Sequence, residues 1–160
     1  MTMIELDSID LRILEILQAE GRISNLELAE RVNLSPTPCS RRLKRLEESG
    51  VITGYGARIN TEALGFGVNA LVTVRLARQT PEDVKAFLDA IDTLPEITET
   101  LLVAGSLDYV LRVMVRDVDE LRAFILEGLK QLPGVAETTT MLILETRKRP
   151  LSPTRLPPTK

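Results

Sequence analysis

The sequence predicts an α+β chain in two parts: an N-terminal winged helix-turn-helix over residues 1–60, then a ferredoxin-like βαββαβ unit over residues 69–148. Three observations carry that reading. Short helical segments with clear start and stop signals fill the opening of the chain. Strand-like alternation begins abruptly at Asn69. The stretches "LPEITET" (94–100) and "LPGVAET" (132–138) repeat one another, each leaving a helix and entering a strand. Residues 61–68 read as a linker and 149–160 as a proline-rich basic tail.

The elements follow in order. Asp7 precedes Ile9, Ile13, Ile16 and Leu17 at helical spacing, and Gly21 stands where such a helix stops, so the first helix is placed over about 8–20. Ser24-Asn25-Leu26-Glu27 has the form of a capping box, in which serine and glutamate each satisfy a free backbone N–H of the other. Leu28, Ala29 and Val32 give the short second helix, ending near Asn33. In "SPTPCSRRLKRLEESG" (35–50), Ser35 is an N-cap, and Pro36 and Pro38 fall in the first turn, where an α-helix has no N–H bond to lose. The third helix then runs to about Ser49 and closes at Gly50. At 100° per residue Cys39, Leu43 and Leu46 form one stripe. Thr37, Arg41, Lys44 and Glu48 lie opposite, with Arg45 beside them and Arg42 nearer the flank. A short strand-and-turn wing is expected in "GVITGYGARIN" (50–60).

Beyond Asn69, Ala70, Val72, Val74 and Leu76 alternate with Leu71, Thr73 and Arg75, which is a strand. Pro81 opens a helix carrying Val84, Phe87, Leu88 and Ile91. Ile97–Ala104 and Asp108–Arg116 are strands about a Gly105-Ser106-Leu107 turn, Val118–Leu132 is a helix, and Val135–Thr146 is the last strand. Two helices cover one face of such a sheet. The other face also carries apolar residues, so burial against another subunit is expected.

Composition narrows the chemistry. Histidine is absent, which removes the commonest general base and metal ligand. A single cysteine excludes an intramolecular disulfide and fits a reducing compartment, and Cys39 on the apolar stripe reads as a small core residue. No apolar run approaches the roughly 20 residues that span a bilayer, so no membrane partner is expected. A net charge of −3 argues against indiscriminate polyanion binding but leaves room for a local cationic patch. A basic helix face is also what an ordinary solvated surface looks like. What favours DNA is the order: cap, turn, proline-led helix, outward cations, wing.

On "GRISNLELAERVNLS", "SPTPCSRRLKRLEESGVITGY" and "VAGSLDYVLRV", the chain resembles the Lrp/AsnC (leucine-responsive, feast/famine) transcriptional regulators over nearly all of residues 5–148. The resemblance implies a sequence-specific regulator binding double-stranded DNA, cytoplasmic and nucleoid-associated. It implies dimers that assemble further into octamers or hexadecamers, an octamer as a tetramer of dimers above all. It also implies no cofactor, and an amino-acid effector that binds between dimers and changes assembly or DNA affinity.

Carried over by position, Ser35, Thr37, Pro38, Ser40, Arg41, Arg42, Lys44 and Arg45 match the family's recognition segment. Free N–H groups at that helix start suit a phosphate, Arg41, Lys44 and Arg45 suit guanine edges or backbone, and Thr37 suits a thymine methyl. Ser24 and Asn25 are expected at phosphates. The effector signature stands as Gly105-Ser106-Leu107-Asp108-Tyr109, with backbone N–H groups for a carboxylate and Asp108 for an ammonium. Thr138, Thr140, Met141 and Leu142 fall where relatives line or respond to that site. The plainer alternative is that Gly105 allows the hairpin and Asp108 caps it. Two further readings stand beside the leading one. One is an effector-independent architectural DNA binder of the same fold. The other is an enzyme like the tetrapyrrole decarboxylases of this two-domain plan, which depend on histidines that this chain lacks.

Overall fold

The structure, a computed structural model, describes residues 5–150. The greater part of the tail, 151–160, therefore lies outside the described residues. Two compact units result, one being Ile59–Thr146 and the other holding the remainder of the described chain.

In the first unit, α1 (Ser8–Ala19), α2 (Asn25–Arg31) and α3 (Pro36–Glu48) surround a core of Ile13, Ile16, Leu28, Ala29, Val32, Cys39 and Leu46. Local chemistry sets the boundaries. Asp7 Oδ1 accepts from the N–H groups of Ile9 (3.0 Å) and Asp10 (2.9 Å), while Asp10 Oδ2 accepts from the Asp7 N–H (3.1 Å), a reciprocal capping box. Ser24 and Glu27 repeat the device on α2. Between α2 and α3 the chain turns through Asn33 at φ 55°, a left-handed conformation that asparagine tolerates better than most residues. The Leu34 N–H then bonds back to the Ala29 carbonyl at 2.9 Å. Ser35 holds the N-cap position of α3, but its side chain makes no cap bond.

The expected wing is not a strand. Val51 and Ile52 pack on the helical core, and the Ile52 N–H bonds to the Leu46 carbonyl at 3.0 Å. Residues 53–60 then run without strand structure. Gly54 and Gly56 weaken any strand there, and 53–60 make no ladder pairing among the described residues. Tyr55 tethers the segment through its hydroxyl, which donates to Glu47 Oε1 at 2.8 Å.

The second unit contains β1 (Val68–Leu76), α4 (Pro81–Ile91), β2 (Ile97–Leu102), β3 (Tyr109–Val115), α5 (Val118–Ala123) and β4 (Val135–Leu142). The strands form one antiparallel sheet in the order β2-β3-β1-β4, the βαββαβ arrangement. Residues 61–68, expected as a linker, belong to this unit. They include a single 3-10 turn, Glu62–Leu64, and the Gly67 N–H bonds to the Arg116 carbonyl at 3.2 Å.

Thr80 and Asp117 cap α4 and α5 through the N–H groups of Asp83 and Glu120. The second helix does not stay α-helical to Leu132. After Ala123 it widens into a π-turn over Phe124–Gly128 and tightens to 3-10 over Leu129–Gln131. That change of pitch lets Phe124, Ile125 and Leu129 all reach the core. β3 alternates buried and half-buried without interruption. Its Tyr109 ring lies 5.0 Å from that of Phe87 at 42°, closing the core beneath the helices.

Candidate nucleic-acid interface and ligand turn

Along α3, Thr37, Ser40, Arg41 and Lys44 are exposed on one side, and Pro38 is half-buried beside them. Among the described residues Arg41 has no ion-pair partner, and Lys44 has only a loose, exposed contact with Glu48 at 3.6 Å. Arg42 and Arg45 are placed differently. Periodicity sets Arg45 beside the exposed face and Arg42 nearer the flank; in the structure both guanidinium groups lie against the N-terminus of α1, with Arg45 still half-exposed. Arg42 Nη1 donates to Asp7 Oδ2 (2.7 Å) and Asp10 Oδ1 (2.8 Å), and Arg45 Nη2 donates to Asp10 Oδ2. Asp10 is fully buried, at 0% exposure. The physical reason is that a buried carboxylate must be neutralised and fully hydrogen-bonded. Asp10 receives three donors, two arginines and the Asp7 N–H.

The electrostatics follow. The Asp7 carboxyl is held below its ordinary value, first by the Asp10 N–H and also by Arg42. Arg42 is pushed up by the side-chain hydrogen bonds to Asp10 and Asp7. The signal for this clamp was present in the sequence. Asp10 sits on the same stripe as Ile13 and Ile16, a charged residue on a buried face.

The expected phosphate contacts of α2 are already engaged. The Ser24 hydroxyl accepts from the Glu27 N–H (3.2 Å) and donates to Glu27 Oε2 (2.8 Å), which is the main reason the Glu27 carboxyl lies below its usual range. Asn25 is half-buried, and its Nδ2 donates to the Pro36 carbonyl at 3.0 Å, joining the start of α2 to the start of α3. Ser35 remains exposed at the α3 entrance.

In the second unit, Gly105 adopts φ 150°, a conformation that side chains rarely take, and Gly105 and Ser106 are exposed. Leu107 is half-buried and Tyr109 is buried in the core. Asp108 does not cap its own hairpin; its carboxylate ties the turn to the end of β1 and the residues after it. Its Oδ2 accepts from the Leu76 N–H and its Oδ1 from Gln79 Nε2, both at 2.6 Å, while its own N–H bonds to the Val74 carbonyl at 3.0 Å. The expectation of a carboxylate waiting for an ammonium thus meets one that already holds two donors.

The last-strand candidates do not share one face. Thr138, Thr140 and Leu142 stand opposite Val74, Val72 and Ala70 on the helix-covered side, whereas Met141 stands opposite Leu71 on the open side. Thr138 and Tyr109 both flank Val74, so the turn and the start of β4 meet at one end of the sheet. Met141 and Leu142 lie farther along it.

A three-helix unit with a tight turn and a cationic third helix, followed by a βαββαβ unit, defines a DNA-binding regulator of transcription. A family profile for winged helix-turn-helix DNA-binding domains matches residues 6–53, and one for the Lrp/AsnC ligand-binding domain matches residues 69–152. The leucine-responsive regulatory protein of Haemophilus influenzae is 44% identical over 90% of this chain and 87% of its own length. The Escherichia coli K12 protein of the same name is 43% identical over 91% and 88%. A Neisseria meningitidis transcriptional regulator solved as a complex with L-Met superposes with a TM-score of 0.86 at 34% identity, over 96% of this chain and 97% of that one. The chain belongs to the Lrp/AsnC family of transcriptional regulators, whose members are DNA-binding regulators rather than enzymes. Among the described residues no helix is long and apolar enough to cross a membrane.

Proposed function

We propose that two subunits present their α3 helices to successive major grooves of a pseudo-palindromic site, and that an amino acid controls assembly and thereby occupancy. The observation that carries the DNA reading is the exposed Thr37, Ser40, Arg41 and Lys44 face on a helix braced from both sides. Asn25 braces it from α2, and Asp7 and Asp10 brace it from α1. Thr37, Ser40, Arg41 and Lys44 meet base edges and phosphates, Ser35 and Pro38 line the helix entrance, and Ser24 approaches the backbone. Asn25, Arg42 and Arg45 position α3 in this reading.

The open sheet face supports self-assembly. Leu71, Leu101, Val110, Met114 and Met141 occupy it, with Arg75–Glu137 and Arg112–Glu99 pairs among them. A dimer would cover this face, and dimers would combine into an octamer as a tetramer of dimers. The site of action is the cytoplasm, at the nucleoid.

For the effector, the exposed backbone of Gly105 and Ser106 and the first half of β4 form the candidate site, with Asp108 shaping the turn. The likeness to a regulator solved with L-Met makes apolar amino acids the first to test. Thermal-shift and light-scattering titrations of the full chain with a panel of amino acids test it. An amino acid that raises the melting temperature and shifts the assembly size is the expected result. No response to any of them would leave an architectural DNA binder that ignores amino acids.

A further inference from the structure

We propose that Asp10 is a specificity-determining positioning residue, which withdraws Arg42 and Arg45 from the pool of cations available to DNA phosphates. The inference rests on α3 being the docking helix and gives the Asp10 contacts a consequence beyond capping and charge neutralisation.

Arg41, Arg42, Lys44 and Arg45 put four cations within five positions of α3. Each cation free to meet a phosphate releases counterions and adds affinity for any sequence, with a slope of about −0.9 in log K against log salt per contact. Two of the four are spent before DNA arrives. Arg45 is held by Asp10, and Arg42 by Asp10 and Asp7 together. Asp10 is inaccessible to water, so releasing either arginine would strand a buried charge. The arginines therefore stay on the α1 side instead of exchanging freely between carboxylate and phosphate. Arg41 and Lys44 remain on the groove side. Affinity for arbitrary duplex is capped in this way, and discrimination falls to base contacts.

The test uses the full-length protein. Two duplexes are titrated by fluorescence anisotropy between about 50 and 200 mM salt. One is of mixed sequence, and the other carries a site that the wild type selects from a random pool. Asp10→Asn keeps size and one acceptor but removes the charge. It is expected to bind the mixed duplex about fivefold tighter at about 100 mM salt, with a slope steeper by about one per engaged subunit. The preference for the selected site should fall by a similar factor. Asp7→Asn keeps a good N-cap residue at an exposed position and is expected to steepen the slope by about half as much. It carries the test if Asp10→Asn does not fold. Unchanged or shallower slopes in Asp7→Asn, and in an Asp10→Asn protein of wild-type circular dichroism, overturn the proposal. Arg41→Ala combined with Lys44→Ala separates the two ideas. If the pair flattens the slope, α3 docks and the clamp is judged on the asparagine variants alone. If the pair leaves the slope unchanged, the docking reading fails and takes the clamp with it.

Discussion

Asp108→Ala separates a carboxylate that ties the turn to β1 from one that binds a ligand. Asp108 accepts from the Leu76 N–H at 2.6 Å, and Leu76 is buried, so alanine would leave that donor unpaired in an apolar setting. An unsatisfied buried donor costs about 1–3 kcal/mol. The bond to Gln79 Nε2 is exposed and adds little. The expected loss is about 2 kcal/mol, a fall in melting temperature of roughly 4–8 °C for a chain of this size. Asp108→Asn keeps an acceptor for Leu76 and should cost about half as much. Urea denaturation at one fixed protein concentration measures both, since an assembling protein has concentration-dependent stability. A carboxylate held ready for an incoming ammonium would instead leave stability within about 0.5 kcal/mol when removed. That result, together with lost amino-acid binding, would refute the structural role of the Asp108–Leu76 bond.

Gly67→Ala should destabilise the second unit. A Cβ there would lie 2.9 Å from the backbone carbonyl of Arg116, so the chain must move, at about 1–3 kcal/mol, visible as a lower denaturation midpoint. Tyr55 should titrate late. Loss of water around the phenol, then the Glu47 hydrogen bond and charge, push it from 10 up to about 12. Because the folded value is the higher one, its contribution to stability is complete below pH 10 and is lost as pH rises toward about 12. An ultraviolet titration that loses a late phenolate step in Tyr55→Phe confirms this. A Tyr55 step near 10 contradicts it.

Much of the fold was legible because its determinants are local. Asp7, Ser24 with Glu27, and the Pro36–Pro38 helix start are chemical statements made within a few residues, and the alternation of Tyr109 to Val115 is a pattern of period two. What periodicity could not supply was tertiary. Arg42 and Arg45 of α3 obey helical spacing, yet their side chains turn toward a carboxylate 32 to 35 residues away in sequence. The Asn25 amide is taken by the Pro36 carbonyl for the same reason. The wing residues make no ladder pairing among the described residues, which no single segment reveals. The π-turn after Ala123 answers a packing demand from the sheet, invisible in a run that reads as unbroken helix. The bonds of Asp108 to Leu76 and Gln79 were equally out of reach, because those partners lie 29 to 32 residues away in sequence.

DNA docking in this protein depends on the groove-facing side of α3, and chemical protection of bound DNA tests that side most directly. On duplexes selected by the full-length protein from a random pool, dimethyl sulfate should show guanine N7 protected in the major groove, in two patches about one helical turn apart. Arg41→Ala with Lys44→Ala should erase both patches while light scattering reports an unchanged assembly. Protection confined to adenine N3 in the minor groove, or guanine protection that survives the double substitution, would contradict the docking of this helix.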